Sequence, residues 1–362
     1  MTVENTHVRY NNFDLLRLFA AFQVFYFHAC AHLLLKPGPL HAKLARVYSF
    51  FPGVPIFFVI SGFLITLSWQ RNQNLKTFYQ NRFLRIYPAF WITFLLSLFF
   101  LLYSGFFNYT ELTNSGFLTW ACCHITGLAF ILNSCFEPLG YATINGSVYT
   151  ISAELHFYLI LPFFLYVLKK IRLQFLYTAT LFSIVICSSF FFHGLWHHQF
   201  GVTARTQWIF LGSVLPNMYL FIFGILFAQH LNKIKKLIEN KVVYWFLLHT
   251  LLCFIVRDFS NGALRGNYIT FLLCRITLAM FAISFAFSFR GLTSKIFRNF
   301  DISYSVYLFH GLIFHVFVIL GMRRSWNYFW LSLLITISFA TVSWFLIESP
   351  ALKMKKWSLK QC

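Results

Sequence analysis

Ionisable side chains sit in the first apolar segment, FDLLRLFAAFQVFYFHACAHL, foremost Asp14, Arg17 and His28. A charged group at bilayer depth costs at least ~2.5–3.5 kcal/mol on insertion scales, so such residues turn inward and mark function. On a helix turning about 100° per residue, Arg17 and His28 fall within about 20° of one another after three turns. Asp14 and His32 lie close to the same stripe. At about 1.5 Å per residue, His28 stands roughly 16 Å further along the axis than Arg17. A guanidinium at one depth could hold an anionic or carbonyl-bearing donor, and an imidazole beyond it could take a proton from a hydroxyl. The plainer reading is a structural Asp14–Arg17 pair and a hydrogen-bonded core histidine.

Three further segments carry chemistry. In NRFLRIYPAFW, Arg82 and Arg85 are one helical turn apart at the start of the third apolar span. Such a pair can clamp a phosphate, because each guanidinium donates two parallel hydrogen bonds; orientation-setting charges are the competing reading. In SVYTISAELHFYLILP, Glu154 lies about a turn inside the span, where a carboxylate could orient a histidine or contact a sugar hydroxyl. Tyr158, with Tyr149 and Phe157, reads first as an interfacial aromatic. In DISYSVYLFHGLIFH, Asp301 and Ser303 cap a helix and His310 sits about two turns into it, a site candidate or a packing residue. Glu348-Ser349-Pro350 closes the last span, Pro350 stopping the helix, and is assigned no chemistry.

These residues need a membrane scaffold. Of the 362 residues, 59% are hydrophobic, 10% are charged and 50 are Phe. A soluble domain is about one-quarter charged, so this chain must face lipid over most of its surface. The formal charge of +20 reads as orientation charge rather than a nucleic-acid surface. The eight cysteines have no CxxC spacing and no paired His/Cys cluster, which gives a metal site little support. Cys122, Cys123 and Cys135 form either a disulfide near the outer face or free thiols.

A span needs about 20 apolar residues. Windows of that kind fall near 13–35, 50–68, 86–104, 151–168, 174–193, 208–228, 242–257, 270–288, 303–321 and 327–347. With the N-terminus inside, 19 Lys and Arg fall in inner segments and 8 in outer ones, the positive-inside distribution. The expected architecture is an all-α, polytopic membrane bundle of about ten helices, one domain over 1–362, with both termini cytoplasmic. The stretch 117–133 becomes a re-entrant or surface helix inside an outer loop, 105–150, that has no Lys or Arg.

Taken together these segments resemble the acyltransferase-3 family of membrane acyltransferases. DLLRLFAAFQVFYFH is similar to its opening motif, a basic residue followed after ten positions by His, here Arg17 and His28. FFVISGFLIT at 57–66 is close to the family's FFVLSGFLIT, and NRFLRIYPAFW carries its RxxR. SAELHFYLILP resembles SVEEQFYLLWP, and SYSVYLFHGLI resembles SYSLYLWH. The resemblance implies acyl transfer, usually acetyl, from cytoplasmic acetyl-CoA or another acyl-CoA to a hydroxyl of an envelope or secreted glycan. It implies His28 as the catalytic histidine, Arg17 assisting donor binding, Arg82 and Arg85 on the CoA phosphates, and Glu154 supporting chemistry or acceptor. Asp14, His310 and Tyr158 are expected in support. Two positions depart from the pattern: Leu18 stands for the usual Gly, and Ala153 for one of two paired acids.

Some relatives carry a fused SGNH-type domain. Its absence here implies direct transfer or a separate periplasmic partner. The expected acceptor is a glycan or lipid-linked saccharide, first among them lipopolysaccharide O-antigen, in the bacterial inner membrane. A proton-coupled secondary transporter is the competing class, since relays use the same buried residue types. Against it, the chain has no related halves and no pair of Gly/Pro-broken spans.

Overall fold

A computed structural model describes residues 12–105, 113–128, 145–171, 173–197, 201, 203–258, 267–289, 291–292 and 300–358, and no strand occurs among them. The ten expected apolar segments are helical over most of their length, 208–228 being broken at 212–214, and the protein is a multi-pass helical membrane protein. Six helices are long and apolar enough to cross a bilayer. A seventh crossing arises if α10 (Leu231–Ile238) and α11 (Val242–Asp258), bent by 79°, form one broken span. The turn between them includes Asn240 at φ 55, a left-handed conformation that Asn tolerates better than most residues. The other three segments are α1 (Phe13–His32), which carries the charged stripe, and two shorter helices, Leu215–Gln229 and α13 (Ser303–Ile319).

The centre of the bundle is α3 (Gly53–Arg71) crossing α9 (Met218–Gln229). A Cβ on Gly62 would stand 2.2 Å from the Phe221 carbonyl oxygen, and one on Gly224 would stand 2.3 Å from that of Val59. Small residues let two backbones meet here, the usual way helices associate where lipid offers no hydrophobic drive. Phe157 and Phe221 stack at 4.0 Å beside the crossing. α1 packs between α3 and α13, so its polar stripe turns inward.

α4 (Leu75–Tyr103) begins eleven residues before its predicted span, with Asn74 capping it through Thr77 N–H. Arg82 and Arg85 therefore lie roughly 10 and 15 Å inside a continuous helix rather than at its mouth. The helix α5 (Ser115–Thr126) is about 18 Å long, too short to cross about 30 Å of hydrocarbon. It lies along the distal half of α4: Phe94 packs on Trp120, and Tyr87 Oη donates to the Thr126 carbonyl at 2.9 Å. Residues 129–144, including Cys135 of the expected thiol cluster, lie outside the described residues; Cys122 and Cys123 are free.

The last span contradicts one expectation. After α14 (Trp326–Ser343) a π-helical turn, Trp344–Glu348, leads straight into α15 (Ser349–Ser358), so Pro350 does not end the helix. Proline inside a continuous helix removes one backbone hydrogen bond, and here it directly follows the wider π turn. Between α1 and α3 lies α2 (Pro39–Ser49), a helix that buries none of its residues.

Candidate active site

α1, α3, α4, α6 (Val148–Lys170), α13 and α15 surround a cavity of about 400 Å³. Six of the predicted residues line it: Asp14, Arg17, Arg82, Arg85, Glu154 and Tyr158. Its charges are interlocked. Arg85 Nη2 donates to Asp301 Oδ2 at 2.6 Å, and Arg17 Nη1 stands 3.6 Å from the same oxygen and 3.1 Å from Asp14 Oδ1. The Asp301 side chain is 10% exposed, and its other oxygen accepts from Ser303 N–H and Oγ–H. A buried carboxylate held by three hydrogen bonds and a further ion pair is fixed in place, and it fixes both guanidiniums in turn.

Arg82 is held differently. One Nη donates to Ser68 Oγ at 3.1 Å, and its guanidinium faces the Tyr158 ring at 5.7 Å. It takes part in no salt bridge among the described residues, and its buried Nε has no hydrogen-bond partner. Glu154 accepts from Ser61 Oγ and Tyr158 Oη. Its hydrogen-bond partners are these hydroxyls, not a histidine.

His28 is one layer further on. The cavity lining includes Phe57, Thr150 and Tyr307 but neither His28 nor His310. The Tyr307 ring packs edge-on against Phe57 at 5.4 Å and against His310 at 5.6 Å. Arg17 and His28 share a helix face, as their spacing predicts, yet an aromatic layer from α3 and α13 comes between them. Tyr307 Oη donates to the Ser147 carbonyl at 3.2 Å and shares a 2.5 Å hydrogen bond with Thr150 Oγ1.

The histidines hold one another. His28 Nδ1 lies 3.0 Å from His310 Nε2, Ser147 Oγ lies 3.0 Å from that same nitrogen, and His310 Nδ1 lies 3.2 Å from the Val306 carbonyl. A carbonyl only accepts, so His310 carries its hydrogen on Nδ1 and presents a lone pair at Nε2. His28 Nδ1, facing that lone pair at 3.0 Å, carries its hydrogen, and the Ser147 hydroxyl shares the same acceptor. His28 Nε2 is then bare, the form a general base requires. The tautomers follow from the network of partners rather than from visible hydrogens.

Gly311 makes this junction possible. A Cβ there would meet Asn145 Oδ1 at 2.3 Å, and Asn145 Nδ2 donates to the Leu308 carbonyl at 2.8 Å. His32 and His315 continue the histidine column beyond His28, with ring centroids 5.4 Å apart.

The sequence marks Asp301 only as a cap, and it does not single out Ser61, Ser147 or Lys355. Asp301 carries a signal all the same, since the chain has only 9 Asp and Glu and one near a span end needs a reason.

The acyltransferase domain family, acyltransferase-3, matches residues 10–348. The chain belongs to this family. As an acyltransferase-3 protein it is a membrane acyltransferase, and the transporter reading falls away. Nodulation protein 10 of Rhizobium leguminosarum bv. viciae is 30% identical over 354 residues, 95% of this chain and 94% of that protein. Acyltransferase MdmB of Streptomyces mycarofaciens is 28% identical over 48% of this chain and 44% of its own length. The peptidoglycan O-acetyltransferase OatA of Listeria monocytogenes is 33% identical over 36% of this chain, which covers 22% of that protein. No solved structure matches the chain.

Proposed function

We propose that this acyltransferase-3 protein O-acetylates a cell-envelope glycan, with acetyl-CoA as donor and lipopolysaccharide O-antigen as acceptor. The observation that carries the reading is a histidine with a bare Nε2, one aromatic layer beyond a cavity lined by three guanidiniums. The relative named as a peptidoglycan O-acetyltransferase supports O-acetyl transfer to an envelope glycan.

The donor enters at the Arg17 end. Its diphosphate meets Arg82, whose unfilled Nε can donate, and Arg85 and Arg17, which Asp301 and Asp14 hold in register. The pantetheine arm runs along α1 toward Phe57 and Tyr307, and His28 lies roughly 16 Å beyond Arg17. The acceptor hydroxyl oxygen attacks the thioester carbonyl carbon while His28 Nε2 takes its proton. As the tetrahedral adduct collapses, the C–S bond breaks and His28 returns that proton to the coenzyme sulfur. Products are the acetyl ester and free CoA thiol, and no net proton is released. Glu154, held by Ser61 and Tyr158, borders the path of the reacting groups and supports either acceptor or acyl binding.

The positive-inside distribution supports an inner-membrane protein with both termini in the cytoplasm, which opens the arginine cavity to cytoplasmic acetyl-CoA. The glycan then approaches from the opposite side, directly or through a separate periplasmic partner. The test is mass spectrometry of envelope glycans from cells with the wild-type gene, without it, and with His28→Ala. Loss of an acetyl group in the second and third, with the variant inserted normally, is expected. Normal acetylation in the variant would refute the role of His28.

A further inference from the structure

The C-terminal helix α15 lies beyond the family match, which ends at residue 348, yet it forms part of the cavity. It packs against α4, with Ala351 buried in the contact. On the same side, Leu352 and Lys355 line the 400 Å³ space, while Lys353 points out and is exposed. Lys355 lines the cavity together with Arg82, Arg85 and Arg17. Trp344, in the π turn that directs α15 here, lines the cavity too; π turns recur at functional sites, where they re-aim the next stretch of helix.

The charges make the space an anion site. Asp14, Glu154 and Asp301 line it against four cations, Arg17, Arg82, Arg85 and Lys355. The basic side chains exceed the carboxylates by one, so the lining keeps a positive formal balance that draws a further anion.

Coenzyme A carries its charge at two places along one chain. From the thioester outward come the pantetheine arm, the diphosphate, and then the ribose with its 3′-phosphate. With the thioester directed at His28 and the diphosphate at the arginines, the 3′-phosphate must lie on the side away from His28. That side is where α15 adds its cation, downstream of the last span. A lysine ammonium is a compact point charge with three rotatable donors, suited to a terminal phosphomonoester, whereas the planar arginine forks suit a bridged diphosphate.

We propose that Lys355 binds the ribose 3′-phosphate of the donor, making α15 a specificity element of the acetyl-CoA site. The proposal rests on acetyl-CoA being the donor.

The test uses the full-length protein in lipid nanodiscs, comparing acetyl-CoA with acetyl-3′-dephospho-CoA. Wild-type protein should have a lower KM for acetyl-CoA. Lys355→Ala should raise that KM about tenfold, the size of one charge-assisted hydrogen bond. Its kcat and its KM for the dephospho donor should hold, so the preference collapses. Lys355→Arg, which keeps the charge, should retain most of the preference and shows that the position tolerates exchange. Equal KM increases for both donors would overturn the assignment, as would an unchanged preference in Lys355→Ala. Turnover of neither donor by wild-type protein would remove the donor reading itself; turnover of both with no wild-type preference would remove only Lys355.

Discussion

Replacing His310 with leucine keeps the space filled but removes the acceptor that holds His28 Nδ1–H at 3.0 Å. That bond changes strength during the reaction. With His28 neutral it contributes about 1 kcal/mol, and once His28 has taken the hydroxyl proton it joins a charged donor and contributes about 1.5–3 kcal/mol. The difference, roughly 0.5–2 kcal/mol, is felt only as the transition state forms. At 1.36 kcal/mol per tenfold it accounts for roughly a 2- to 30-fold rate effect. The acceptor also selects the tautomer; without it, the Nε2–H form competes and removes about another factor of two. His310→Leu should therefore lower kcat about 5- to 60-fold, with an unchanged KM for acetyl-CoA because the arginine cavity is untouched. His310→Asn, whose amide oxygen can still accept, should fall between. The assay is acetyl transfer by nanodisc-embedded protein at saturating donor, with thermal unfolding alongside to verify folding. A kcat within about twofold of wild type in a folded leucine variant would refute the orienting role. A loss as deep as that of His28→Ala would instead make His310 the base.

Two further outcomes concern the cavity. Arg82→Ala should raise the KM for acetyl-CoA about tenfold with little change in kcat, since it removes a charged donor to the phosphates; steady-state kinetics against acetyl-CoA decide it, and an unchanged KM would end the phosphate role. Asp301→Asn strips the partly buried guanidiniums of Arg85 and Arg17 of their shared counter-charge and should cost about 3–5 kcal/mol. Glu239→Gln, at an Lys235 pair 4.0 Å apart on the surface, should cost under about 1 kcal/mol; equal thermal shifts in the two variants would contradict the bridging role of Asp301.

The chain's apolar runs made the spanning helices around the site legible, because lipid demands continuous hydrophobic segments with satisfied backbones; α15, which continues past Pro350, was not. Helical periodicity likewise set Arg17 and His28 on one face and Arg82 beside Arg85. Periodicity says which way a side chain points, not what it meets. Arg85 finds Asp301 across 216 positions of sequence, and Tyr307 arrives from α13 to stand before the histidines. Such pairings are set by how helices pack, which one helix's pattern does not contain. Glu154 illustrates the same limit: its partners are Ser61 and Tyr158, and the motif that holds Ser61 does not say which side chain it meets. Lys355 was hidden for another reason, since a basic residue after a last span reads as an orientation charge.

The Phe57–Tyr307 layer bears on the cell's energy supply as well as on catalysis. A water-accessible, charge-lined hollow continuing through to the far face would offer ions a route down the membrane potential, about 2.3 kcal/mol per charge at 100 mV. The Phe57–Tyr307 contact at 5.4 Å narrows any such route, as apolar constrictions do in channels. A narrowing that admits an acyl arm but disfavours hydrated ions lets a charge-lined cavity and a membrane potential coexist.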